Sequence, residues 1–205
     1  MKDDRIVASG PHINGTAKET QNFPDCLLLP RLVDMRAHPA PGSWKYGIDP
    51  DVELLPRCTT TVLSQGDAGA AHWPEHRHTI VRGSKTGVRL AISAAINGET
   101  GEMETPCFEN IDDLNVDSAV SAIEDRGDDI WGVAVNCSQA SGGKADPRVV
   151  LSKAIEMAER TKKPLLFGER WEPYDWPIAE QLSQLQAGDI GTYCLHSGPN
   201  GRVEG

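Results

Sequence analysis

Six apolar runs set the terms on which this chain can fold: Leu27 to Val33, Thr60 to Ser64, Val88 to Ile96, Ile130 to Cys137, Pro164 to Phe167 and Ile190 to Leu195. Each is continuous rather than alternating. A strand that is apolar on both faces belongs in a parallel sheet covered on both sides, whereas a half-exposed antiparallel strand alternates polar and apolar positions. Parallel pairing is therefore expected.

Helical segments lie between the runs. One is read from Asp146 as N-cap, with Pro147 in the first helical position, to about Thr161; Val150, Leu151, Ala154, Ile155 and Ala158 form its apolar stripe. A second starts near Asp175, has Pro177 in its first turn, aligns Ile178, Leu182 and Leu185, and ends at Gly188. A third spans Val116 to Asp125, with Val116, Val120 and Ile123 at helical spacing, and stops at Gly127. Strand, loop and helix repeated in this way mean an α/β architecture, either an open doubly wound sheet or a closed eight-fold barrel. A doubly wound nucleotide-binding sheet needs a glycine-rich loop after its first strand, and Arg36-Ala37-His38-Pro39 offers none. If the fold is a barrel, the reading that the resemblance described below implies, it is a partial (β/α)8 TIM-like barrel with about six of the eight units. Residues 1–26, polar and glycine-containing, are read as a small N-terminal β remnant, and 27–205 as the incomplete barrel.

With 205 residues and 39% hydrophobic content, the chain can bury one core. Its formal charge of -10 disfavours nucleic acid and anionic membrane as partners. No apolar run reaches the length of a membrane span, and Met1-Lys2-Asp3-Asp4 lacks the basic head of an export signal, so the cytoplasm is the expected location. The five cysteines form no CxxC pair and are expected to be buried free thiols.

Chemistry enters at Leu29-Pro30-Arg31-Leu32-Val33-Asp34-Met35-Arg36-Ala37-His38-Pro39. This segment resembles the opening strand of the amidohydrolase superfamily, Pro-Gly-(apolar)-(apolar)-Asp-x-His-x-His, whose two histidines bind a divalent metal. Alternate strand residues point the same way, which is why an HxH pair converges on one ion. Asp34 and His38 match, while Arg36 stands at the first histidine and Arg31 at the glycine. Arginine cannot ligate a cation. The segment Arg57-Cys58-Thr59-Thr60-Thr61-Val62, leading to Gly66-Asp67-Ala68-Gly69, is similar to the deacetylase and dihydroorotase-like branch, with Cys58 at a family glycine. Gly188-Asp189-Ile190-Gly191-Thr192-Tyr193-Cys194-Leu195-His196 resembles a later strand of the same branch. Alignment puts Ala134 where that branch has a carbamylated lysine, and Gly168 and Tyr193 where it has histidines.

The resemblance implies a hydrolase of a C–N bond, in a cyclic amide or N-acyl compound, working through water activated by a divalent metal, zinc foremost. His38, Glu169 and His196 are the metal-ligand candidates. Glu169 reads equally as a general base or as one member of a charged surface loop, Glu169-Arg170-Trp171-Glu172. The substitutions at Arg31, Arg36 and Cys58 point to a second class: a non-catalytic barrel fragment that associates with another copy or chain to complete the barrel. His72, His76 and His78 lack the HExxH order and are expected on an exposed amphipathic helix. Ser141-Gly142-Gly143-Lys144 is expected to be a flexible loop, and Trp171, Tyr174 and Trp176 to line a pocket or cap the rim.

Overall fold

The computed structural model describes residues 5–42, 46–99, 106–126 and 128–195. The chain divides into two units, Met1–Pro30 and Arg31–Gly205. Residues 5–30 are irregular, with an isolated bridge at Arg5 and no strand among the described residues. Leu27 and Leu28 are exposed, so the first apolar run is not a strand from its start. Pro30 has no N–H to give a ladder, and pairing begins where the Leu32 N–H donates to the Cys58 carbonyl at 3.0 Å.

The second unit begins with β1 (Leu32–Ala37), then α1 (Pro50–Glu53), β2 (Thr59–Gln65) and α2 (Trp73–His76). A π-helical turn, Arg77–Val81, extends α2. There follow β3 (Gly87–Ser93), α3 (Val116–Arg126), β4 (Ile130–Asn136) and α4 (Gln139–Gly142). The chain continues through α5 (Pro147–Thr161), β5 (Leu165–Gly168), α6 (Ile178–Leu182) and β6 (Ile190–Thr192). All six strands join one sheet in the order β1-β2-β3-β4-β5-β6, and every neighbouring pair is parallel. The result is the curled half-barrel that the continuous apolar runs require.

Alternation along the strands splits the buried side chains between two faces. Val62, Leu90, Ile92, Val133, Val135, Leu165 and Phe167 share the main core with Ile123, Val150, Leu151 and Met157 of α3 and α5. Ala91, Ala134 and Leu166 form a second, smaller cluster on the other face. Their register partners lie side by side across β3, β4 and β5, so this is the concave side of the curl. Small residues there leave the strand tips room to converge.

Local chemistry explains the element ends. The Asp146 carboxylate accepts from the Arg148 N–H at 2.9 Å, capping α5 as its sequence implies. The expected helix near Asp175 starts later, at Ile178, because Asp175 is held by the Arg170 guanidinium at 2.6 Å and Trp176 enters the core. The Gln181 amide then ties this corner down, donating to the Arg170 and Trp176 carbonyls. Ser141 and Gly142 belong to α4 rather than to a flexible loop, and Gly143 closes that turn with φ 56°. Among the described residues, no helix is long and apolar enough to cross a membrane.

The cysteines are free, yet only Cys137 is buried; Cys26 and Cys58 are exposed. Cys58 ends the 3-10 turn Leu55–Arg57 in the left-handed region, at φ 65°. Side chains other than glycine meet the backbone there, at a cost of roughly 1–2 kcal/mol per residue. Replacement of Cys58 by glycine should therefore raise stability by about 1 kcal/mol, read as a higher urea midpoint with an unchanged slope. An unchanged midpoint would mean that the turn carries no such strain.

Candidate functional site

Parallel strands send their C-terminal ends to one rim, where loops from separate units meet. On β1, the Asp34 carboxylate takes the Arg36 N–H at 3.0 Å, and the register with β2 shifts between Asp34 and Ala37. That irregularity aims Arg36 and His38. On β2, the Gly66-Asp67-Ala68-Gly69 loop packs on the segment after β3: Ser93 N–H donates to Ala68 O, Glu99 N–H to Gly66 O and Ala71 N–H to Ile96 O. Gly69 allows this approach, because a Cβ there would lie 2.0 Å from the Ala95 carbonyl oxygen.

The loops bring together a polar cluster. His38 Nδ1 lies 2.6 Å from Asp67 Oδ1, and the Ser64 hydroxyl donates to the other carboxylate oxygen. Asp67 is buried and the His38 side chain only 13% exposed, so the pair is held largely out of water. Glu99 is buried beside them and its pKa is pushed up to about 7, chiefly by burial, with Asp67 adding to the rise and His38 and Arg36 opposing it. His76 is buried as well, and burial lowers its pKa while the Asp67 charge works against that. It lines a cavity of ≈ 320 Å³ with Asp67, His72, Glu75 and Ile80.

A second group faces the concave side. The Arg36 guanidinium sits 4.0 Å from the centroid of the Tyr193 ring. The Tyr193 oxygen accepts from the amides of Gln65 and Asn136, each at 3.5 Å, and both amide residues are buried. Strands β1, β2 and β4 and the end of β6 thus meet through Arg36 and Tyr193. These are two positions at which the family resemblance has metal-binding histidines.

The metal-ligand candidates fare differently. His38 is turned to Asp67. Glu169 is wholly buried, with Oε1 3.9 Å from the point a Gly191 Cβ would occupy and Leu182 of α6 4.0 Å from the same point. Gly191 registers with Phe167, a member of the main core, so Glu169 lies on the helix side of the sheet. His196 lies outside the described residues. Among the described residues no three or more His, Cys, Asp or Glu side chains are grouped to hold a metal.

The remaining positions explain why a divalent metal does not fit the described residues. Arg36 brings a cation, Ala134 is packed in the small apolar cluster, and a Cβ on Gly168 would lie 3.0 Å from Asn136 Cγ. Trp176 is a core residue with the Arg148 guanidinium 4.9 Å above its ring, while Tyr174 is exposed. His72 and His78 are exposed as expected, but His76 is not, because it follows the buried Trp73 by three residues on the same face of α2. Glu99 and its neighbours were missed in the sequence, where a lone glutamate after a strand carries no signal.

The architecture is an α/β half-barrel, and known proteins resemble the chain in sequence and in fold. Over 197 residues, 95% of the chain, the sequence is 26% identical to a deacetylase of Brucella anthropi, of which it covers 48%. A deacetylase of Agrobacterium fabrum is 25% identical over the same length, with 47% of it covered. Among solved structures, an adenine deaminase matches with TM-score 0.80 and 21% identity, over 94% of this chain and 51% of that one. A dihydroorotase matches with TM-score 0.76 and 21% identity, over 84% and 53% respectively. The chain therefore spans about half the length of the relatives it matches. No family model matches it.

Glu99 ties the site to stability. Its proton is held more tightly in the folded chain than at the ordinary glutamate value of 4.5. Its contribution is complete below that value and is lost as pH rises through about 7. Glu99→Gln should remove this decline, gaining on the parent between pH 5 and pH 8 by on the order of 3 kcal/mol. Parallel urea curves for the two proteins at both pH values would reject the assignment.

Proposed function

We propose that this chain is a C–N-bond hydrolase by lineage whose rim recognises a small cyclic amide or N-acyl compound without using a divalent metal. The deacetylase relatives and the dihydroorotase and adenine deaminase folds support the lineage. The observation that carries the rest is the Arg36–Tyr193 stack, which fills two metal-histidine positions with a guanidinium and a phenol 4.0 Å apart. A permanent cation at that point repels a second one, and a lone His38 makes a weak and unselective metal site. Free cysteines and an acidic surface suit the cytoplasm. Among the described residues the sheet ends at β1 and β6, and strands at such ends suit association with another copy or chain.

One observation favours a second reading, in which hydrolysis proceeds without metal. A histidine whose Nδ1 faces a buried carboxylate at 2.6 Å is oriented as a general base is, with Asp67 fixing the ring and stabilising its protonated form. In that case His38 takes a proton from the water that attacks the carbonyl carbon, Arg36 stabilises the charge that grows on the carbonyl oxygen, and the proton passes from His38 to the departing nitrogen as the C–N bond breaks.

Metal analysis of the purified chain after gel filtration, paired with hydrolysis assays on N-acetyl amino acids and cyclic ureides, tests both. The expected result is substoichiometric zinc and manganese, and no turnover that depends on added metal. Stoichiometric metal with metal-dependent hydrolysis overturns the proposal. Turnover that survives a chelator and falls roughly 10²–10⁴-fold in His38→Ala selects the second reading.

A further inference from the structure

We infer that Arg36 turns the concave rim into a binding site for a small-molecule carboxylate, a fixed cation standing where the fold's relatives place a metal. This deepens the reading above and rests on it, since it takes the rim to bind a small molecule without metal. Three features of the structure carry it.

The first is the state of the guanidinium. Arg36 Nε is buried, and among the described residues no hydrogen-bond acceptor reaches it. Guanidinium N–H groups are strong donors whose burial without an acceptor is costly, and a planar carboxylate is the partner that satisfies two of them at once. The residue as a whole is only half-buried, so part of the group remains open to a ligand.

The second is rigidity. The Tyr193 ring lies under the guanidinium at 4.0 Å, and the Tyr193 oxygen is held by the amides of Gln65 and Asn136. Asn136 is fixed in turn, its Oδ1 accepting from the Ser138 N–H at 3.0 Å. Stacking leaves the edge of the guanidinium, where the N–H groups are, free to meet a ligand in its plane. The two amides donate to the phenol oxygen, so its own proton is left to donate to the same ligand.

The third is location. The group stands at the C-terminal ends of the strands, on the concave face walled by Ala91, Ala134 and Leu166, where this architecture binds ligands. Asp34 accepts the Arg36 backbone N–H at 3.0 Å, and Asp67, in the loop after β2, is engaged by His38 and Ser64.

The test is titration of the full chain at pH 6 with benzoate and with its neutral isostere benzamide, by calorimetry and by the Arg36 Nε–H resonance. Benzoate is expected to bind roughly tenfold or more tightly than benzamide, to move that resonance downfield, and to weaken with added salt. Arg36→Met should abolish the preference, while Arg36→Lys keeps the charge and loses most of the affinity with the planar fork. Equal binding of the two probes, an unmoved resonance, or full affinity in Arg36→Met overturns the inference. If Arg36→Met does not fold, the benzoate and benzamide comparison on the parent chain decides alone. Metal-dependent hydrolysis would defeat the proposed function whatever the titration shows. Absence of both metal and benzoate binding defeats this inference only.

Discussion

A parallel strand leaves polar backbone groups along both flanks and apolar side chains on both faces, so it is stable only when neighbours cover all of these. In this chain the flanks of β2 to β5 are closed by adjacent strands, and the outer face by α3 and α5. The inner face is closed by curling, which needs small residues on the concave side. Ala91 and Ala134 supply them. The same curl gathers the strand tips, so the covering of the sheet and the making of the site are one geometric event.

That event places charges where water cannot reach them easily. Asp67 survives burial because His38 and Ser64 satisfy it, while Glu99 responds to burial by holding its proton. Arg36 cannot lose its proton and instead lies on an aromatic face. Three neighbouring ionisable groups thus meet the same low-polarity setting in three ways.

Much of this was legible in the sequence. Continuous apolar runs located β2 to β5 to within a residue or two at most ends, and Asp146-Pro147 marked the start of α5, because both signals are local. Leu27 to Leu29 misled for the same reason: hydrophobic composition shows what can be buried and says nothing of whether a neighbour exists. Arg36, Cys58 and Tyr193 stood out as departures from a known motif. The stacking of Arg36 on Tyr193 did not, since contact between β1 and the end of β6 depends on the curl of the whole sheet. His76 was misplaced because the helix it sits on was expected to be exposed, whereas the face that carries Trp73 and His76 is buried.

Gly168 and Asn136 decide whether an imidazole could be built into this rim. With the Asn136 side chain seated at 3.0 Å from where a β-carbon on Gly168 would stand, a histidine at 168 has no place until position 136 shrinks or swings away. Asn136, however, is anchored through Ser138 and Tyr193. Loosening it would disturb the arginine platform before any imidazole arrived, so a single substitution is poorly suited to install one.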